Sequence, residues 1–243
     1  SVITQQRTDA GLLGRKTGEG FYRYEDGRAQ TPAEPTAPDL ASAPTVWVAP
    51  GPRQAMVAEA AASLGATIDT GTEPAAGSLV LVAPLGLDAT AAARGLPAER
   101  TVAIDTLFPI ARGACQRRVL MTTPATQPQW RDTAHALFAS DGTRVSVLRD
   151  SPGFIAQRVV AMIVSIATEI AQQRIASPGD IDTAVKIGLG YPRGPLSMGD
   201  AVGAETILEI LSNMHALTGD PRYRPGSWLR RRAQLGLSLL QDD

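Results

Sequence analysis

Residues 45–64 read TVWVAPGPRQAMVAEAAASL, and the order of parts in this stretch decides the fold. Thr45–Ala49 is a short apolar run rich in β-branched residues, suited to a strand buried on both faces. Arg53–Leu64 carries apolar residues at helical spacing and ends at Gly65, the residue type that most readily closes a helix. Strand, tight turn and helix in that order make the first unit of a parallel α/β sheet. The alternation continues downstream, with strands over 66–69 (ATID), 78–83 (SLVLVA), 102–105 (VAID), 119–122 (VLMT) and 143–148 (TRVSVL), and a helix over 127–139. The pattern predicts a parallel, doubly wound sheet covered on both faces.

The turn Ala49-Pro50-Gly51-Pro52-Arg53-Gln54 is where such a sheet places GxGxxG when it binds a dinucleotide, because glycine lets the backbone approach the pyrophosphate above the helix N-terminus. Only Gly51 stands in a glycine position. Pro50 and Pro52 have no N–H to offer a phosphate, and Gln54 puts a side chain where the third glycine permits close packing. Asp69, at the end of the next strand, does fall where an acid would meet a ribose hydroxyl. One position does not make a site, so the expectation is a Rossmann-like scaffold with no cofactor-binding residue.

Upstream, residues 31–44 (TPAEPTAPDLASAP) hold four prolines and almost nothing to bury, the composition of a semi-rigid extended linker. Before it stands Gly11–Tyr24, GLLGRKTGEGFYRY, whose glycine pairs and aromatic cluster precede any large element. Downstream the style changes at Asp150-Ser151-Pro152-Gly153. A capping residue and a proline at the first helical position predict a long helix from Phe154 to Ile175. Ser177-Pro178-Gly179-Asp180 predicts another, with Ser177 as cap and Asp180 reaching back to the cap amide. Helices over 200–217 and 226–235 complete an all-helical C-terminal part. More than half of positions 154–174 are apolar, too wide a stripe for one small core. That helix is either surrounded by its own domain or meets another copy or a sister domain as well.

Composition excludes several function classes. A net charge of −1 supplies no basic field for nucleic acid. The single cysteine, Cys115, closes no internal disulfide and is read as a small buried or half-buried residue. Two histidines, His135 and His215, stand in no metal-binding spacing, so no metal ligand is assigned. The longest apolar run, Val159–Val164, falls short of the roughly 20 residues of a membrane span. A soluble, cytoplasmic protein is expected. The chain begins Ser1-Val2 with no initiator methionine, which suggests a natural start further upstream. The arginines at 222, 224, 230, 231 and 232, interleaved with Tyr223 and Trp228, either grip phosphates or form a solvated, ion-paired face.

The segment Leu148–Val160, LRDSPGFIAQRVV, closely resembles the junction between the NAD-binding and helical domains of 3-hydroxyacyl-CoA dehydrogenases. Asp180-Ile181-Asp182 and Gly188–Gly203, GLGYPRGPLSMGDAVG, resemble the same family's helical domain, with Asp200 opening the next helix. Gly11–Tyr24 resembles the tail that closes such a domain. The resemblance implies a 6-phosphogluconate-dehydrogenase-C-terminal-like helical domain and divides the chain into four parts: 1–30, the tail of a preceding helical domain; 31–44, a linker; 45–148, a reduced Rossmann-like domain; and 149–243, a second helical domain. It also implies an upstream NAD-binding half, and that the exposed apolar residues of the tail dock on a helical domain or a partner chain.

The family's catalytic histidine lies in an HFFNP-like segment, with a glutamate following it. The corresponding Ile104–Ala111, IDTLFPIA, keeps Pro109 but has no histidine, and Ala111–Thr123 holds no carboxylate, so no catalytic residue is assigned. Gln157 corresponds to the family's substrate-side asparagine. Gln157, Ser151 and Asp200 are the candidate substrate-pocket residues, and Arg222, Arg230 and Arg231 of the basic cluster are the candidate CoA phosphate contact. The resemblance implies NAD for the parent enzyme, with no cofactor expected on this chain, and as partners an acyl-CoA substrate, the chain's own N-terminal half and a second copy in a homodimer through the helical domains. Two other readings stay open: an acyl-CoA-binding module without chemistry, and an active enzyme with Asp105 as an unusual base.

Overall fold

A computed structural model describes residues 2–40 and 42–242. Its chain divides into two compact units, residues 1–36 and 37–243. The predicted linker has no regular element among its described residues, and Ala41 lies outside them.

The first unit holds helix α1 (Val2–Asp9) and a two-stranded antiparallel ribbon of β1 (Tyr24–Glu25) and β2 (Arg28–Ala29). Between them the GLLGRKTGEG loop folds on itself: the Gly14 amide donates to the Glu19 carbonyl at 2.8 Å and the Tyr24 amide to the Gly18 carbonyl at 2.8 Å. Arg7 lies over the Phe21 ring at 4.7 Å and donates to the Gly20 carbonyl.

The second unit opens on the sheet. Its strands are β3 (Thr45–Val48), β4 (Thr67–Asp69), β5 (Leu79–Val82), β6 (Thr101–Ile104), β7 (Arg117–Thr122) and β8 (Arg144–Leu148), in spatial order β4-β3-β5-β6-β7-β8. Helices α2 (Gln54–Ser63), α3 (Ala89–Ala92) and α4 (Pro128–Ala139) lie between them in sequence. Period-two alternation sends Val46, Val48, Leu79, Leu81, Val102, Ile104 and Leu120 into one core with Val57, Ala61, Leu137 and Phe138 of α2 and α4. Val82, Ala103 and Met121 turn to the other face, against Ala89 of α3 and Phe154.

All six predicted strands are present, but the sheet is mixed rather than wholly parallel. β7 runs antiparallel to β6, pairing Val102 with Thr122 and Ile104 with Leu120, while β8 is parallel to β7. A parallel return needs a long crossover, usually a helix. Residues 105–116 form no helix, so the chain comes back beside the strand it left. At this edge Arg118 is fully buried, pairs bidentately with Asp141 at 2.8 and 2.9 Å and also donates to the Ile110 carbonyl at 2.8 Å.

Five helices follow: α5 (Ile155–Gln172), α6 (Pro178–Leu189), α7 (Pro195–Val202), α8 (Ala204–Thr218) and α9 (Ser227–Leu235). The helix expected over 200–217 is two, because Gly203, at φ +102°, ψ 122°, ends α7 and begins α8 in a conformation costly for other residues. Asp200 therefore lies in the last turn of α7 instead of opening a helix. The Asp150-Ser151 cap also fails: α5 begins after Phe154 with no side-chain cap, and Asp150 accepts from the Ala89 amide at 2.7 Å at the start of α3. Ser177 caps α6 as expected, but Asp180 accepts from the Ser177 hydroxyl at 2.7 Å. Asp182 holds the start of α7, taking the Leu196 amide at 2.8 Å and the Ser197 amide at 3.0 Å. Helix α5 has the length and apolarity to cross a membrane, yet 44% of that span is buried, as in a core helix. Its inner face packs Val160, Ala161, Val164 and Ala171 among Ile181, Leu196, Ile207, Leu211 and Trp228.

Candidate functional site

In an open α/β sheet, ligands sit beyond the carboxyl ends of the strands where the winding direction reverses. Here that point lies between β3 and β5, and a cleft of about 490 Å³ occupies it. Residues 49–54 after β3, residues 82–87 around the end of β5, and Glu205, Thr206 and Glu209 of α8 line it. The position is that of a dinucleotide pocket, but the residues do not fit a pyrophosphate. Pro50 and Pro52 have no amide to donate. The Gln54 amide is taken by the Gly51 carbonyl at 3.1 Å, and its side chain turns inward to the Val48 carbonyl at 3.1 Å. α8 contributes two carboxylates, faced by Arg53.

Asp69 is not available to a ribose either. Oδ1 accepts from the Gly71 amide at 3.0 Å, and Oδ2 from the Ala75 amide at 2.9 Å and the Ser78 hydroxyl at 2.7 Å. The Ser78 hydroxyl and the two amides hold its carboxyl below the ordinary carboxylate range. Both oxygens close the chain's own loop, which Trp47 and Arg100 pin further through the Gly71 and Ser78 carbonyls at 2.8 Å each. The residues at this corner of the sheet do not fit a nicotinamide cofactor.

The second place to look is the seam between sheet and helices. Gln157, in the first turn of α5, is fully buried. Its Oε1 accepts from the Gly86 amide at 2.8 Å, while Nε2 donates to the Pro84 carbonyl at 3.1 Å and to Asp105 Oδ1 at 2.9 Å. Gln157 thus braces the seam and is no wall of an open pocket. Asp105, at the end of β6, accepts from the Leu107 amide at 3.1 Å as well, and burial pushes its carboxyl above the ordinary range against these two hydrogen bonds. Both of those hydrogen bonds fall on Oδ1, and Asp105 is not among the residues that line the cleft.

The other expected site residues are dispersed. Ser151 is half-buried at the junction. Asp200 accepts from the Leu239 amide at 2.8 Å and the Ser238 hydroxyl at 2.5 Å, tying down the end of the chain. Arg222 is chelated by Asp220, which raises the guanidinium's affinity for its proton. Arg231 reaches the Gln172 side chain of α5, Arg230 is exposed, and Arg232 is buried with its guanidinium 3.2 Å from the Trp228 ring centre. Arg222, Arg231 and Arg232 thus serve separate local contacts. Among the described residues no group of three or more His, Cys, Asp or Glu gathers as a metal site. His135 lies on α4, where burial disfavours its protonated form, and Cys115 is half-buried in the irregular stretch before β7.

Sequence reasoning missed three residues of the seam. Asn213 of α8 donates to the Leu85 carbonyl at 2.8 Å, the Gly153 amide donates to the Leu87 carbonyl at 3.1 Å, and Gly86 sits where an added Cβ would lie 2.3 Å from the Ile210 carbonyl oxygen. Only Gly86, a glycine just past a strand, carried a local signal.

A Rossmann-like sheet followed by a helical domain, with a cleft at the sheet's switch point, is an architecture found in dehydrogenases, here with a turn after β3 that does not fit a pyrophosphate. Residues 153–238 match the family of 3-hydroxyacyl-CoA dehydrogenase C-terminal domains, and in that part the chain is similar to 3-hydroxyacyl-CoA dehydrogenases. It is 45% identical over 94 residues to a 3-hydroxyadipyl-CoA dehydrogenase of Escherichia coli K12, a match covering 39% of this chain and 20% of that protein. It is 34% identical over 101 residues to a probable 3-hydroxybutyryl-CoA dehydrogenase of Bacillus subtilis, covering 42% and 35%. A crystal structure of the Escherichia coli K12 3-hydroxybutyryl-CoA dehydrogenase superposes with TM-score 0.71 at 27% identity, over 97% of this chain and 44% of that one. The chain therefore spans less than half the length of these relatives.

Proposed function

We propose that this chain is the C-terminal part of an NAD-dependent 3-hydroxyacyl-CoA dehydrogenase, which oxidises 3-hydroxyacyl-CoA to 3-oxoacyl-CoA in fatty acid or aromatic acid breakdown in the cytoplasm. In that enzyme this part is non-catalytic. It serves as architecture, forming the homodimer contact through its helical domain and helping to wall the acyl-CoA pocket of its own N-terminal half. Residues 1–30 close the helical domain that precedes the linker.

One observation carries the reading: a family-type helical domain is joined to a sheet whose cofactor turn has two prolines in place of amide donors and whose Asp69 is consumed by its own loop. The match of nearly the whole chain to less than half of a 3-hydroxybutyryl-CoA dehydrogenase supports it. The test is turnover. The purified chain, supplied with NAD and 3-hydroxybutyryl-CoA, is expected to produce no NADH above background and to bind no NAD by calorimetry. Oxidation at ordinary enzyme rates, on the order of 1–1000 turnovers per second, would overturn the non-catalytic assignment.

A further inference from the structure

The segment that follows β5 is held at nearly every residue. The Pro84 carbonyl and Gly86 amide bond to Gln157 of α5, and the Leu85 carbonyl to Asn213 of α8. The Leu87 carbonyl takes the Gly153 amide, and the Ala89 amide donates to Asp150. The partners come from α5, α8 and the junction before α5, so a short sheet loop is tied to the helical domain from three directions.

Shape agrees with the bonding. Gly86, at φ +76°, lies so close to α8 that a Cβ would fall 2.3 Å from the Ile210 carbonyl oxygen and 2.8 Å from its Cα. Leu85 belongs to the same buried cluster as Val160, Ile207 and Ile210. Sheet and helices also form one compact unit from residue 37 onward.

A cleft between two domains opens and closes through hinge residues and a loose loop at its mouth. Here the loop over 84–89 is instead held by five hydrogen bonds to α5, α8 and the junction before α5. We propose that Gln157 is the positioning residue of a lock that fuses the sheet to the helical domain beside the cleft, so that the β5 loop and α5 move as one body. Gln157 holds the centre because its carboxamide engages both the β5 loop and Asp105 just past β6. This inference does not depend on the chain's being part of a dehydrogenase.

Hydrogen exchange on the full 243-residue chain, read by mass spectrometry at peptides covering 84–89, tests the lock. Gln157→Ala leaves the Gly86 amide and Asp105 without their partner. Exchange across 84–89 is expected to accelerate about ten- to a hundredfold, the scale of losing partners for buried polar groups, while peptides from β3 and α9 keep their wild-type rates. Equal acceleration of all slow peptides would reduce Gln157 to a general stabiliser and overturn the proposal, as would unchanged exchange at 84–89. If Gln157→Ala does not fold, Asn213→Ala removes one tie from a half-buried position. It is expected to speed exchange at 85–87 selectively, and no selective effect there counts equally against the lock.

Discussion

Asp105 shows how much the meaning of one carboxylate depends on groups far away in sequence. It ends a strand and is nearly buried, and its Oδ1 is shared between the Leu107 amide and Gln157. Burial pushes its proton affinity up, and the two hydrogen bonds only partly oppose that. A folded-state pKa above the unfolded value means that the fold prefers the neutral acid. Relative stability is then greatest below the ordinary carboxylate pKa and declines as pH rises through the folded value. Asp105→Asn keeps an acceptor for both donors and removes the charge. It is expected to raise Tm relative to wild type at pH 7, with the gap closing toward pH 3; a lower Tm at pH 7 would mean that the carboxylate itself stabilises the seam. The amide at 157 was legible from its place in the junction motif. Its partners were not, since Pro84, Gly86 and Asp105 lie more than 50 residues away and no local pattern announces them. Asp69 misleads for the same reason: its spacing suits a ribose, but Ser78 takes the oxygen.

At the scale of elements, strand existence was readable because runs such as LVLV are buried on both faces and tolerate nothing polar. Strand direction at β7 was not, because it depends on whether residues 105–116 can form a crossover helix, and apolar runs carry no arrow. The break at Gly203 was missed because the apolar spacing continues across it. The reversed edge carries the arginine that packs most deeply, Arg118, joining β7 to the end of α4 through Asp141. Arg118 holds the Asp141 carboxyl far below the ordinary carboxylate range, helped by the Thr143 amide. Its contribution is therefore fully present above the ordinary carboxylate pKa and is lost as pH falls below it toward the depressed folded value. Asp141→Ala strands a buried guanidinium and is expected to cost about 3–5 kcal/mol at pH 7 by urea unfolding. The difference from wild type should shrink as the measurement moves from pH 5 to pH 2. A cost under about 1 kcal/mol would place the pair with ordinary surface bridges.

Helix α5 shows why the molecule as a whole asks for a partner. Its buried face already meets α6, α7, α8 and α9, yet Ile155, Val159 and Ile166 on the opposite side are 52%, 52% and 57% exposed. Their spacing of four and seven places them on one stripe with half-buried Met162 and Ile170. On α6, Ile187 and Leu189 are 81% and 66% exposed. Covering such half-exposed side chains gains about 1 kcal/mol each, roughly half of what full burial from water gives. A stripe repeated on each copy is self-complementary about a two-fold axis, the commonest arrangement in soluble oligomers. The proposed homodimer uses it. Val159→Glu and Ile166→Glu put carboxylates on the exposed face only, so each variant is expected to sediment as a monomer, where the wild-type chain sediments as a dimer, with an unfolding free energy within about 0.5 kcal/mol of the monomer's own. A wild-type chain that stays monomeric, or a glutamate variant that still dimerises, would move the contact off α5 and leave the stripe to the N-terminal half of the enzyme.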